Sequence, residues 1–350
     1  MKFAQVRIVG TGLIGTSIAL ALGNLGIKVV PVDADPENQR LAHDLLAPYL
    51  GEGESELTIL ATPPLRTMGV LISEFERNPN QRFIDTGSVK FKLQQEVNRF
   101  PEIAQRFLGT HPMAGREYGG ARFAQSDLFQ GRAWLLTPSR QTEAQLIADV
   151  RELIEALGAT PYEMPAENHD DLLALISHLP QLVSTALASS IGESPQLELA
   201  GQGLRDMVRI ASSNPTLWSE ILLSNQENVL SALDSFSHSL NELRAAISRG
   251  EKEKIQEIFE EGAAGRIKVS GKHGALPRNY VQLLIVIEDK PGQLSQLFLQ
   301  CAQINANIED LSIEHSPGQE TGLITLSFSA HDAPRVIEYL RAHSWKVHQA

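Results

Sequence analysis

A single cysteine, Cys301, excludes an internal disulfide and a cysteine-based zinc site, and it suits a reducing compartment. No apolar run reads as long enough to cross a bilayer. No positively charged leader precedes the first strand pattern (Ala4, Val6, Ile8, Val9), so a cytoplasmic protein with no membrane role is expected. Basic charge is also scarce. The formal net charge of -12 works against an extended phosphate-binding surface, and nucleic acid is not expected as a partner. Low-complexity tracts, short-period repeats and any His/Asp/Glu cluster with metal-ligand spacing are missing, so no metal is expected. What is present is a 350-residue chain with 42% hydrophobic residues, enough to fill the cores of two or three packed units.

From Ala4 to about Pro165, β-rich runs alternate with helical stretches: Val6 to Val9, Ile27 to Val32, Leu57 to Ala61, Phe83 to Ile84, Phe107 to Thr110 and Ala133 to Thr137. That alternation predicts a Rossmann-type α/β domain, a parallel sheet covered by helices, over residues 1–165. Strand signals then vanish, and residues 166–265 read as an all-helical substrate or dimerisation domain. Leu172, Leu175, Ile176, Leu179, Leu182 and Val183 mark one apolar side there, and Ser177, Gln181 and Ser184 mark a polar stripe. A helix from about Ser219 to Ser248 has a heptad-like seam (Leu222, Val229, Leu233, Phe236, Leu240, Leu243, Ile247), which serves packing within one chain or a homodimer contact equally well. Residues 266–278 are polar and without periodicity, a linker. Residues 279–350 then follow a βαββαβ order with a turn at Asp289-Lys290-Pro291-Gly292.

Gly10-Thr11-Gly12-Leu13-Ile14-Gly15 follows a strand and opens an apolar helix, the context of a dinucleotide-binding loop. Gly10 permits the tight turn, Gly12 admits a pyrophosphate, and Gly15 lets helix and strand pack closely. Asp33, at the end of the second strand, can accept hydrogen bonds from a ribose hydroxyl and would repel a 2′-phosphate, so NAD is preferred to NADP. Pro31, inside that strand, forfeits a ladder bond and has no evident reason in the sequence.

Ligands bind beyond the carboxyl ends of such strands, where Thr62-Pro63-Pro64, Asp85-Thr86-Gly87-Ser88-Val89-Lys90 and Thr110-His111-Pro112-Met113-Ala114-Gly115 fall. Thr62 is therefore a further cofactor-side candidate. Pro112 biases His111 toward an extended backbone, and the ordinary pKa of histidine suits a proton acceptor near neutrality. A lone histidine is more often structural than catalytic, and spacing alone leaves this one at even odds.

These motifs, with Ser177-His178-Leu179-Pro180 and Gly203-Leu204-Arg205-Asp206-Met207-Val208-Arg209-Ile210-Ala211, resemble the prephenate and arogenate dehydrogenase family in chain order over roughly the first 250 residues. The resemblance implies NAD-dependent oxidative decarboxylation of prephenate, or of arogenate, on the route to tyrosine. His111 would take the ring hydroxyl's proton, Ser88 would support it, and Arg209 would hold a substrate carboxylate. Trp218, His178 and Glu117 match family positions near the pocket, although a core tryptophan, a core histidine and a surface carboxylate fit equally well. Gln181 stands where some relatives carry histidine. Residues 279–350 resemble the ACT family of small regulatory domains, which implies an amino-acid effector such as tyrosine. A non-catalytic ligand sensor and a simple hydroxyacid dehydrogenase are the other readings these features allow.

Overall fold

The computed structural model describes residues 3–115, 119–192, 196–269, 280–288, 290–315 and 321–349. The first of the two compact units comprises Met1–Glu193 and Met207–Ser237, and the second comprises Ser194–Asp206 and His238–Ala350.

A seven-stranded sheet forms the centre of the first unit, in the order β2-β1-β3-β4-β5-β6-β7: β1 (Gln5–Val9), β2 (Lys28–Val32), β3 (Leu57–Leu60), β4 (Arg82–Asp85), β5 (Phe107–Pro112), β6 (Ala133–Thr137) and β7 (Thr160–Glu163). The strands β1 to β5 are parallel, as the alternation predicts. β6 corrects that expectation, because it runs antiparallel to β5 and β7 runs parallel to β6. Helices α1 (Leu13–Asn24), α2 (Pro36–Leu46), α3 (Pro64–Arg77), α4 (Phe91–Val97), α5 (Pro101–Arg106) and α6 (Ala144–Ala156) lie between the strands in the chain. Strands buried on both faces need continuous apolar runs, and the fully buried Leu57-Thr58-Ile59-Leu60 of β3 supplies one. Leu57, Ile59 and Leu60 each contribute about 1.5–3 kcal/mol relative to exposure, a gain that the buried hydroxyl of Thr58 does not share.

Pro31 now has a reason. β2 is the edge strand, and the Pro31 carbonyl points away from β1 to accept from Gln39 Nε2 at 3.0 Å. Its missing N–H falls on that same outer side, beyond the single bridge of Val29 to Leu50, where no ladder continues.

The helical segment begins with α7 (Ala166–Leu173) and α8 (Leu179–Ser190), joined without interruption by a π-helical turn at Ala174–His178. Contrary to the sequence reading, the whole run Ala166–Ser190 is long and apolar enough, by length and composition, to cross a bilayer. Its buried positions nevertheless include His169, Asp170, His178, Gln181 and Ser184. The extra residue in the π turn shifts the helical phase, so His178 points inward while Leu175 and Ile176 are 59% and 51% exposed. Of the apolar side, Leu172, Leu175 and Ile176 face outward and Leu179, Leu182 and Val183 are half-buried, whereas Gln181 and Ser184 of the polar stripe are buried.

After α9 (Gln202–Val208), the expected single helix over Ser219–Ser248 is two, α10 (Pro215–Ser224) and α11 (Gln226–Arg249), separated at Asn225; α12 (Lys252–Lys268) follows. The expected linker over 266–278 is corrected at its start, because α12 continues through Lys268; residues 270–278 lie outside the described residues.

The C-terminal segment follows the expected order: β8 (Val281–Glu288), α13 (Gln293–Gln303), β9 (Asp310–His315), β10 (Thr321–Phe328), α14 (Ala333–Ala342) and β11 (Lys346–Gln349). Its antiparallel sheet has the order β11-β8-β10-β9. Gly292 adopts φ +91° at the start of α13, a left-handed conformation that glycine takes without a Cβ penalty.

Candidate active site

The glycine loop divides its labour as its spacing predicts. A Cβ at Gly10 would stand 2.3 Å from the Ala61 carbonyl oxygen, and one at Gly15 would stand 1.9 Å from that of Gly10. At Gly12 a Cβ would meet nothing within 4 Å. Gly12 is also the N-cap of α1 and offers no side chain to the first helical N–H groups, which leaves them for an anion. Leu13 is buried in the core and Ile14 packs partly against it, so any contact with a pyrophosphate from these two comes from the backbone. The Thr62 hydroxyl pairs with that of Thr67 at 3.0 Å just past β3. Asp33, half-buried past β2, accepts from Thr11 N at 2.6 Å and Thr11 Oγ1 at 2.9 Å. An uncapped helix start, an open glycine and an acidic residue at the next strand end together fit a dinucleotide without a 2′-phosphate.

Beyond β4 and β5 lies a buried polar network. Lys90 Nζ pairs with Asp85 and donates to the Thr110 carbonyl at 2.8 Å; both charged side chains are 1% exposed. Asp85 Oδ1 accepts from Thr110 N at 3.1 Å, and Trp134 Nε1 donates to Thr110 Oγ1 at 3.0 Å. Thr110 is thus held from three sides, which fixes the strand position immediately before His111. Ser88 is half-buried in the loop between Asp85 and Lys90, the same loop that is tied to Thr110. Burial pushes the Lys90 pKa down, against the opposing effect of Asp85 and Asp170.

His111 Nδ1 lies 2.9 Å from His169 Nε2, and His169 Nδ1 lies 2.8 Å from Asp170 Oδ1. Asp170 also accepts from the backbone N–H groups of Lys90, at 2.8 Å, and Phe91, at 2.9 Å. The direction of the chain follows from donor chemistry. A carboxylate only accepts, so His169 carries its proton on Nδ1 and accepts at Nε2. His111 must then donate from Nδ1, which leaves its Nε2 lone pair for an incoming proton. Burial, reinforced by the cationic tendencies of His169, Lys90 and His178, holds His111 well below the usual histidine pKa. Burial also lowers His169, although Asp170 opposes it. Such an arrangement can serve as a neutral base with a fixed tautomer.

On the helical side, buried His178 stands edge-on to Trp218, with ring centroids 6.0 Å apart, and its pKa is lowered to about 4 chiefly by burial. Asn225 Nδ2 donates to the Asp170 carbonyl at 2.7 Å and lies 3.3 Å from His178 Nδ1. The break between α10 and α11 therefore joins Asp170 to His178. Gln181 Nε2 donates to the Ile210 carbonyl at 2.9 Å, while its Oε1 accepts from Ser213 Oγ at 3.2 Å. It thereby holds the short 3-10 turn Arg209–Ser212, in which Arg209 is exposed. Glu117 lies outside the described residues.

Sequence reasoning missed His169, Asp170 and Asn225. Glu167 to Asp171 look like a solvated acidic helix start, and Asn225 is hidden within a helical pattern. One signal was available: His169 and Asp170 precede Leu173 and Ala174 by four residues, which puts them on one helix face with two apolar residues, and in the structure all four are buried.

The chain matches the model for the prephenate dehydrogenase nucleotide-binding domain over residues 18–163 and that for the prephenate dehydrogenase dimerization domain over residues 165–261. It is 30% identical to the prephenate dehydrogenase of Lactococcus lactis, over 82% of this chain and 83% of that one. It is 28% identical to that of Bacillus subtilis, over 93% and 92% respectively. The structure of A. aeolicus prephenate dehydrogenase, in complex with hydroxyphenyl propionate and NAD+, superposes with a TM-score of 0.70 at 29% identity, covering 77% of this chain and 99% of that one. With two domain models meeting in order where the sheet domain gives way to helices, this chain belongs to the prephenate dehydrogenase family.

Proposed function

We propose that this chain is an NAD-dependent prephenate dehydrogenase that converts prephenate to 4-hydroxyphenylpyruvate on the route to tyrosine. The observation that carries the proposal is the chain from Asp170 through His169 to His111, which keeps a neutral imidazole with one unused acceptor at a strand end of a dinucleotide-binding sheet. NAD supplies the hydride acceptor when bound, and the glycine loop, Asp33 and Thr62 would hold it.

The substrate ring carbon that bears the hydroxyl loses its hydrogen as hydride, and the hydroxyl loses its proton to His111 Nε2. A ketone forms at that carbon. The bond to the ring carboxylate then breaks, carbon dioxide leaves, and its electron pair aromatises the ring to a phenolate that takes up a proton. His169 accepts the Nδ1 hydrogen bond throughout, so His111 stays oriented as it becomes cationic. Ser88 supports the histidine and the substrate hydroxyl. Arg209, a permanent cation with a planar fork of donors, takes a substrate carboxylate, and Gln181, His178 and Trp218 shape that side of the pocket.

The domain model at 165–261 and the outward-facing Leu175 and Ile176 support a homodimer through the helical segment. Residues 1–165, 166–265, 266–278 and 279–350 then serve as cofactor domain, substrate and dimerisation domain, linker and ACT-like regulatory domain. Tyrosine is the effector of the last. A lone, buried Cys301 accords with the cytoplasm.

Steady-state reduction of NAD and NADP with prephenate and with arogenate tests the assignment. Prephenate with NAD should be the fastest pair. Faster arogenate turnover would move the substrate assignment, turnover only of a simple hydroxyacid would move the reaction class, and no turnover of any of these would leave a sensor.

A further inference from the structure

The outer side of β2 carries an arrangement that no strand ladder explains. Gln39, in α2, accepts from Asp33 N through Oε1 at 2.5 Å and donates through Nε2 to the Pro31 carbonyl at 3.0 Å. In an extended chain the carbonyl of one residue and the N–H of the residue two further on face the same side, and a primary amide, with one donor and one acceptor edge, satisfies both as a neighbouring strand's peptide would. The side chain of Gln39 thus stands in for the strand that an edge lacks. It does so at the two residues that flank the end of β2, directly under the Asp33 carboxylate.

That carboxylate is directed as well as supported. Its Oδ2 accepts from both Thr11 N and Thr11 Oγ1, and its Oδ1 accepts from Asp35 N at 2.9 Å. A carboxylate oxygen has two lone-pair sites, so Oδ2 is filled by the glycine loop while Oδ1 retains one. A ribose hydroxyl can donate to the remaining site. A 2′-phosphate dianion has no proton to donate and meets a charge of its own sign.

We infer that Gln39 is a positioning residue for cofactor selectivity: by clamping the backbone on either side of Val32 it fixes where Asp33 presents Oδ1, and so sets the discrimination between a dinucleotide with a free ribose 2′-hydroxyl and one with a 2′-phosphate. The inference deepens the assignment of Asp33 and rests on it.

Calorimetric titration of the full chain with NAD+ and with NADP+ tests it, alongside the thermal midpoint of each variant. Gln39→Leu removes both hydrogen bonds, and Gln39→Met does so at nearly constant length in case the first variant folds poorly. Either should reduce the ratio of NADP+ to NAD+ dissociation constants by about tenfold, the size expected for losing the placement of one charge-assisted hydrogen bond. Thr11→Val should act in the same direction. A lowered thermal midpoint with an unchanged ratio in both Gln39 variants would make Gln39 a stabiliser of the sheet edge only and overturn the inference. Asp33→Ser separates the two levels: if it leaves the ratio unchanged, the Asp33 assignment itself fails, whereas a reduced ratio in Asp33→Ser beside an unchanged one in the Gln39 variants removes Gln39 alone.

Discussion

The sheet unit and the C-terminal βαββαβ segment bury different things. Behind the strand ends of the first lie Asp85, Lys90, Thr110, His169, Asp170, His178 and Asn225, all buried and joined by hydrogen bonds. The core of the second is Leu283, Ile285, Leu297, Ile324, Leu326, Phe328, Val336 and their apolar neighbours, and Ser327 is the one polar side chain buried there among the described residues. Burying charge costs several kcal/mol per ion before pairing recovers it, so a fold that keeps such a network has a use for it beyond stability. The apolar segment needs no such use to explain it. Its contribution to function has to come through its surface.

The largest expected effect falls at the end of the polar network. His111→Asn should lower turnover roughly a hundred- to ten-thousandfold while NAD affinity stays nearly intact, as measured by steady-state kinetics and direct titration. Near-normal turnover would leave the network without a chemical purpose.

Stability sharpens the same contrast. Asp85→Asn strands the Lys90 ammonium in a site where it is 1% exposed and should cost about 3–5 kcal/mol in urea unfolding. Ser327→Ala, an equally buried polar change in the other core, should cost less than about 1 kcal/mol. Similar losses at the two positions would mean that the cores do not differ as described.

The smallest effect concerns regulation. Coupling of tyrosine to turnover through the C-terminal segment should amount to roughly 1–3 kcal/mol and disappear on deletion of residues 279–350, with dehydrogenase activity retained. Inhibition that persists unchanged in the shortened enzyme would place tyrosine in the catalytic pocket instead.

Features that depend on pattern were legible in the sequence. The glycine loop, Asp33, the five parallel strands and the βαββαβ order each follow from a period, a turn residue or a strand-to-helix switch. What was not legible depends on phase and on partners distant in the chain. Leu175 and Ile176, apolar at helical spacing, continue the outward face of Leu172 one turn earlier, while the π turn at Ala174–His178 brings His178 to the buried side. β7 was missed because Thr160-Pro161-Tyr162-Glu163 is short, largely exposed and without alternation. His169 acquires meaning only when β5, 58 residues earlier, brings His111 to its Nε2. Pro31 looked anomalous until the strand order placed it on an edge.

The central claim is that His111 acts as a neutral base whose tautomer is set by His169 and Asp170. Burial and the neighbouring His169, Lys90 and His178 lower its pKa, so the reactive form predominates at and above the ordinary histidine pKa and is lost only as pH falls through the lowered value. The most direct measurement is kcat/KM for prephenate with saturating NAD across pH 5 to 8, over the range where the protein stays folded. The account predicts a rate that is level from about pH 6.5 upward and declines on the acid side with an apparent pKa below 6.5. An acid limb centred at or above 6.5, or a rate indifferent to pH in a His111→Asn variant that still turns over normally, would contradict it.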